Sequence, residues 1–136
     1  MEILKKLFTP NKDQRKTVDL EQNEKEAIID LLMLAIYADN HLSLAEDKIM
    51  KEEIDTYSWN SITVLRIYLS ESTARARTAL TSETSEREFL EFIAERLESR
   101  ATKSRALDLL SKLFNSDGTD EKEKEFTVKV KRYLGM

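Results

Sequence analysis

The sequence predicts an all-α fold, a compact bundle of about six to seven helices joined as antiparallel neighbours. Three observations carry that expectation. Glycine occurs twice and proline once in 136 residues, so turns needing positive φ are scarce and arrays of tight β-hairpins are disfavoured. Ala, Leu, Glu, Lys and Arg, the strong helix formers, dominate the composition. Apolar residues recur at three- and four-residue spacing between short polar breaks rich in capping residues.

Residues 1–17 read as a loosely attached N-terminal segment, and residues 18–136 as one helical domain long enough to bury its own core. Ile3, Leu4, Leu7 and Phe8 make one or two helical turns before Pro10 disfavours helix at Thr9. Lys5, Lys6, Lys12, Arg15 and Lys16 are most simply a solvated tail. The sharper reading is a tail that docks on a partner or touches a membrane surface, which the apolar residues beside the lysines support.

The first helix of the domain is expected from about Leu20 to Ala38. Its second half is apolar on nearly every side (Ile28, Ile29, Leu31, Leu32, Met33, Leu34, Ile36, Tyr37), which marks a central helix surrounded by others. It stops at "DNH", where Asn40 suits the left-handed residue that ends a helix when glycine is absent. Ser43 and Glu46 form a capping box that starts the second helix, with Ile49, Met50, Ile54 and Tyr57 at helical spacing. A third helix fits Ile62 to Leu80, with Ile62, Leu65, Leu69, Ala76 and Leu80 on one face, widened by Tyr68 and Ala79. Ser85 and Glu88 read as the capping box of a fourth helix, whose stripe is Phe89, Leu90, Ile93 and Leu97. The fifth covers Ala101 to Asn115, with Ala106, Leu107, Leu110, Leu113 and Phe114 inward. "NSDGT" closes it, Asp120 and Glu123 match another capping box, and Phe126, Val130 and Tyr133 mark the sixth, with Gly135 at C′.

Several function classes are excluded or weakened. The net charge of −4 gives no attractive field for nucleic acid. With no cysteine, disulfides, thiolate zinc sites and cysteine nucleophiles are out. The longest apolar run, "AIIDLLMLAIYA", contains Asp30 and falls short of the ~20 residues of a spanning helix. "MEILKKLF" is too short and too charged for a signal peptide. A soluble cytoplasmic protein is the expectation. His41 is the only imidazole and sits in a turn, as a solvated residue or a single ligand, so no nucleophile–base–orienter set can be assembled. Arg75 and Arg77, or Arg96, Arg100, Lys103 and Arg105, could bind phosphate. Interleaved acids such as Glu95, Glu98 and Asp108 make a mixed solvated face the default for the second group. Trp59 reads as a plug at the core edge.

The first and last hairpins are alike. "LLMLAIYADNHLSLAEDKIMKEEI" aligns with "LLSKLFNSDGTDEKEKEFTVKVKRYL" with one residue gapped, setting Asp39 over Asp117, Asn40 over Gly118 and Glu46 over Glu123. This suggests an internal duplication, two hairpins related by a pseudo-two-fold with two helices between them. An apolar helix, an Asp-led turn, a capping residue and a Glu in the next helix, repeated near the end of the chain, resembles the tellurite-resistance TerB-like family over residues 20–134. The segment "YLSESTARARTAL" sits where that family has its middle helices. Asn40 stands where the family usually has glycine, a mild change for the backbone. The resemblance implies a non-enzymatic domain of a bacterial stress response whose two acidic turns meet and bind a divalent metal, here through Asp39, Glu46, Asp117 and Glu123.

Four converging carboxylates would repel one another, and a hard cation with oxygen ligands removes that cost. With no histidine cluster or thiolate, Ca²⁺ or Mg²⁺ fits better than zinc. Neither turn has the ligand alternation of an EF-hand loop. The plainer reading gives Glu46 and Glu123 to their capping boxes and Asp39 and Asp117 to ordinary turns. Two functions follow from different classes: the metal-binding stress-response domain, and a metal-free protein–protein interaction module offering an apolar groove or its N-terminal segment. A paired-carboxylate metalloenzyme is a third reading, with no residue marking a substrate pocket.

Overall fold

The computed structural model describes residues 21–38, 44–59, 62–115 and 121–136. Within them are six helices: α1 (Gln22–Ala38), α2 (Leu44–Asp55), α3 (Ile62–Ala79), α4 (Glu83–Arg96), α5 (Arg100–Asn115) and α6 (Glu121–Leu134). Among the described residues there is no strand, and no helix is long and apolar enough to cross a membrane. The all-α expectation holds. The segment 1–17, the turn residues Asn40, His41, Ser43, Gly118 and Asp120, and the inward placement of Ile62 lie outside what is described.

Helix α1 is the axis of the bundle. Ile28, Ile29, Leu31, Leu32 and Leu34 are each 0% exposed, as an all-round apolar helix demands. At about 1.5–3 kcal/mol per fully buried large aliphatic side chain, this helix dominates the hydrophobic term. It packs against α2, α3, α4 and α5. Leu90, Ile93 and Leu97 around α4, and Leu110 and Leu113 of α5, close over it. Helix α6 lies outside α1, against α4 and α5, with Phe126 edge-on to Phe114 at a centroid distance of 6.0 Å.

Helix directions follow from the paired residues. Tyr68 bonds to Glu26, Ser72 to Asp30 and Thr73 to Met33, so α1 and α3 run parallel. Thr102 near the start of α5 bonds to Glu24 near the start of α1, and Phe114 meets the end of α1, so α5 is parallel too. The even-numbered helices return between them. The α1–α2, α3–α4 and α5–α6 connections therefore all leave from one end of the bundle.

The helix starts depend on local capping. Glu21 N–H donates to Glu24 Oε1 at 3.4 Å, and Thr102 N–H donates to Ser99 Oγ at 3.0 Å. The start of α4 corrects the sequence expectation. Ser82, not Ser85, is the cap, with φ −158° and ψ 159°, and its Oγ accepts from Ser85 N–H at 3.0 Å. Starting one turn earlier puts Glu83 and Glu86 at the positive end of the helix. It also brings Glu86 within 2.7 Å of Lys129 Nζ on α6. At the other end of the chain Gly135 takes φ 70°, the left-handed C′ position expected of it.

Candidate functional site

Of the four candidate metal ligands, Asp39 and Asp117 lie outside the described residues. Glu46 and Glu123 stand in the first turns of α2 and α6 and are buried, at 1% and 5% exposure. Ala38, the last residue of α1, and Glu123 border one cavity of about 170 Å³, together with Ala35, Phe114, Lys122 and Lys129. The helix ends that flank the two acidic turns thus lie side by side. Among the described residues no three potential ligands gather into a metal-binding group.

The strongest electrostatic feature lies elsewhere. Asp30, 0% exposed, accepts from Ser72 Oγ at 2.6 Å and Arg75 Nη2 at 3.1 Å on one oxygen, and from Arg96 Nη2 at 2.6 Å on the other. One carboxylate from α1 thereby ties α3 and α4 to the axis. Burying a charge is tolerated only with such pairing. Burial, the largest single influence, lowers the pKa of Arg75, but the charge and hydrogen bond of Asp30 together with Tyr68 outweigh it and the net shift is upward. Burial, and next the Asp30 charge, raise the Tyr68 hydroxyl above its ordinary range. Arg75 also stands over the Tyr68 ring at 5.0 Å.

A second buried carboxylate repeats the pattern. Glu53 accepts from Arg105 Nε at 2.7 Å and Nη2 at 2.9 Å, a two-pronged fork, and from Tyr57 O–H at 2.6 Å. It ties α2 to α5. Burial, then the bond to Glu53, pushes the Tyr57 hydroxyl upward. Arg75, Arg96 and Arg105 are therefore structural ion-pair partners, which for Arg96 and Arg105 corrects the expectation of a mixed solvated face. Their partners lie far off in sequence, so interleaved local charges concealed them. The carboxylate oxygens already accept from cations and hydroxyls, so the arrangement suits bracing better than proton transfer.

Bracing shapes the surface beside it. The Arg96 guanidinium lies 3.8 Å from the centroid of the Phe92 ring, and its Nε–H donates to Phe92 C=O at 3.2 Å. Phe92 is nevertheless 46% exposed. It borders an open groove of about 420 Å³ between α3 and α4, with Ala74, Arg75, Thr78, Ser85 and Glu88. On α3, Val64, Ile67, Glu71, Ala74 and Thr78 fall at i, i+3, i+7, i+10 and i+14, one outward stripe that runs into this groove. Val64 and Ile67 are 45% and 54% exposed. Three of the five exposed large apolar side chains in the described residues therefore share the α3/α4 face (Val64, Ile67 and Phe92, against Val128 and Met136). Clustering of this kind is what separates an interaction surface from scattered surface apolarity.

Sequence reasoning passed over Val64, Ile67 and Phe92. The signal was available, since each is a large apolar residue lying off the inward stripe of its own helix. Trp59 packs at the core edge as expected, with its ring 6.2 Å from Tyr68 and Lys25 Nζ 5.6 Å from its centroid.

No protein-family model, curated protein or solved structure matches this chain.

Proposed function

We propose that this chain is a non-enzymatic helical docking domain that binds a segment of another protein through its α3/α4 face. The observation that carries the reading is the exposed Phe92 ring, held from beneath by an arginine anchored on buried Asp30 and facing a groove on the same side as Ile67 and Val64. A pre-positioned aromatic at a groove gives a partner an anchor at little ordering cost. Selecting peptides from a displayed library against the full chain tests it. Selected peptides should carry apolar anchors at helical spacing and lose affinity roughly tenfold or more on Phe92→Ala or Ile67→Ala. The same peptides should tolerate Val128→Ala, an exposed control on α6. Peptides indifferent to Phe92 and Ile67 would overturn the reading.

A second reading keeps the TerB-like, stress-response domain with a divalent cation at the two acidic turns. What favours it is that Ala38 and Glu123, which flank those turns, border one cavity. The charges lining that cavity balance, Lys122 and Lys129 against Glu123 and Glu125, so the lining itself offers a cation no excess of negative charge. Thermal melts with Ca²⁺, Mg²⁺, Mn²⁺ and Zn²⁺, each with and without chelator, separate the readings. Bound metal at a hundred times its Kd adds about 2.7 kcal/mol, and Asp39→Ala or Asp117→Ala should each remove that gain. A melting temperature indifferent to every cation leaves the docking domain alone.

A further inference from the structure

We infer that residues 3–8 of this same chain dock on the α3/α4 face, as a basic amphipathic segment laid into an acid-rimmed apolar groove. The inference rests on the docking reading for its choice of face and names an intramolecular occupant, which a partner segment of like chemistry would have to displace.

Charge complementarity is the first support. On α4, Ser85, Glu88, Phe92 and Glu95 form one stripe, and on α3 Glu71 lies between Ile67 and Ala74. Glu71, Glu88 and Glu95 are all exposed, as is Glu91 beside Phe92. The exposed arginines of these helices, Arg66, Arg77 and Arg87, fall off both stripes. The one arginine lining the groove, Arg75, is committed to Asp30. The face is therefore apolar at its centre and anionic at its edge, and it selects an apolar segment bearing cations.

Residues 3–8, "ILKKLF", have that composition. Wound as a helix, Ile3, Leu4, Leu7 and Phe8 share one side, and Lys5 and Lys6 occupy the other. This is the anchor spacing of helix-in-groove recognition. The tether also reaches. Residues 9–20 span up to about 40 Å when extended. The Asp30–Arg96 bond sets the end of α4 level with the middle of α1, so Phe92 stands roughly 20 Å along the bundle from Glu21.

The absence of cysteine makes the test clean. Thr9→Cys in the full chain accepts a single nitroxide label, and amide spectra report which residues lie near it. Amides of residues 67–75 and 88–95 are expected to lose at least half their intensity. Leu7→Glu in the labelled chain should restore them, since it sets a carboxylate among the apolar anchors and against the acidic rim of the face. Raising the salt concentration should weaken the effect. Broadening that persists with Leu7→Glu, that falls on other helices, or that is missing overturns the inference. So does broadening carried between chains when labelled and isotope-enriched molecules are mixed, which would assign the face to a second copy. A chain without broadening whose selected peptides still depend on Phe92 loses this inference and keeps the docking domain.

Discussion

Arg96 on α4 and Asp30 on α1 meet at 2.6 Å, 66 residues apart in sequence, with the carboxylate fully buried and the arginine side chain 11% exposed. A pair this enclosed is costly to break from either side, because the survivor is left charged in a poorly solvated place. The two sides are unequal. Asp30 has Ser72 and Arg75 besides Arg96, whereas Asp30 is the only acidic partner of Arg75 and Arg96 among the described residues. Asp30→Ala should therefore cost about 3–5 kcal/mol in urea denaturation, near the full penalty for orphaning buried charge. Arg96→Ala should cost less, because Arg75 and Ser72 still satisfy one carboxylate oxygen. An Asp30→Ala loss below that of Arg96→Ala would show that the carboxylate is not the hub.

The Glu53–Arg105 fork makes a milder demand. Arg105 is 33% exposed at its side chain, so water relieves it when Glu53 is removed. A double-mutant cycle on Glu53→Ala and Arg105→Ala should return a coupling of roughly 1 kcal/mol, toward the lower end of the range for contacting pairs. Arg105→Lys should recover little of it. An ammonium cannot reproduce the two parallel N–H bonds to Oε1 and Oε2. Full recovery by lysine would mean that charge alone matters there.

Helix α4 offers a test of capping. Ser82→Ala removes the acceptor for Ser85 N–H and should cost about 1 kcal/mol. Ser85→Ala removes only a hydroxyl bonded to Ser82 Oγ on an exposed turn, and should cost a few tenths. Equal losses, or a larger one at Ser85, would move the start of α4 to where its S-x-x-E pattern suggests.

That pattern shows where sequence reasoning works and where it stops. The all-round apolar character of α1 fixes its central place, because no other environment accepts so many large aliphatic residues. Gly135 is legible because φ 70° excludes most alternatives. At α4 two serines three residues apart both fit a cap, and the local rule preferred Ser85, which has a glutamate three residues on, Glu88. The backbone took the earlier one, where an extra turn brings Glu86 to Lys129, a partner 43 residues away. Asp30 reads locally as an interruption of an apolar run. Its role is set by Ser72, Arg75 and Arg96, whose proximity only the folded bundle creates. Phe92 was a different kind of miss: its exposure follows from the stripe Phe89, Leu90, Ile93 and Leu97 that it does not join.

The two buried phenols make the alkaline limb of the stability curve informative. Tyr57 and Tyr68 both have folded-state pKa values raised above the ordinary value, in each case by burial first and by a neighbouring carboxylate second. A raised folded pKa means that the native state holds its proton when the unfolded chain releases it. The stabilisation is thus fully present below the unfolded tyrosine pKa of about 10 and is lost as pH rises beyond it. Ionisation of these two residues should leave denaturation midpoints unchanged with pH near neutrality and make them fall steeply above about pH 10. Tyr57→Phe should flatten that fall, at the cost of the hydrogen bond to Glu53 seen at every lower pH. Tyr68→Phe should flatten it while losing only a 3.2 Å bond to Glu26 C=O. Tyrosinate absorbance followed beside circular dichroism checks the assignment. The chain has four tyrosines, and the part of the signal removed by Tyr57→Phe and Tyr68→Phe should develop together with loss of helix, not before it. Ionisation of either residue in a fully helical protein would mean that its hydroxyl is reached by water without unfolding.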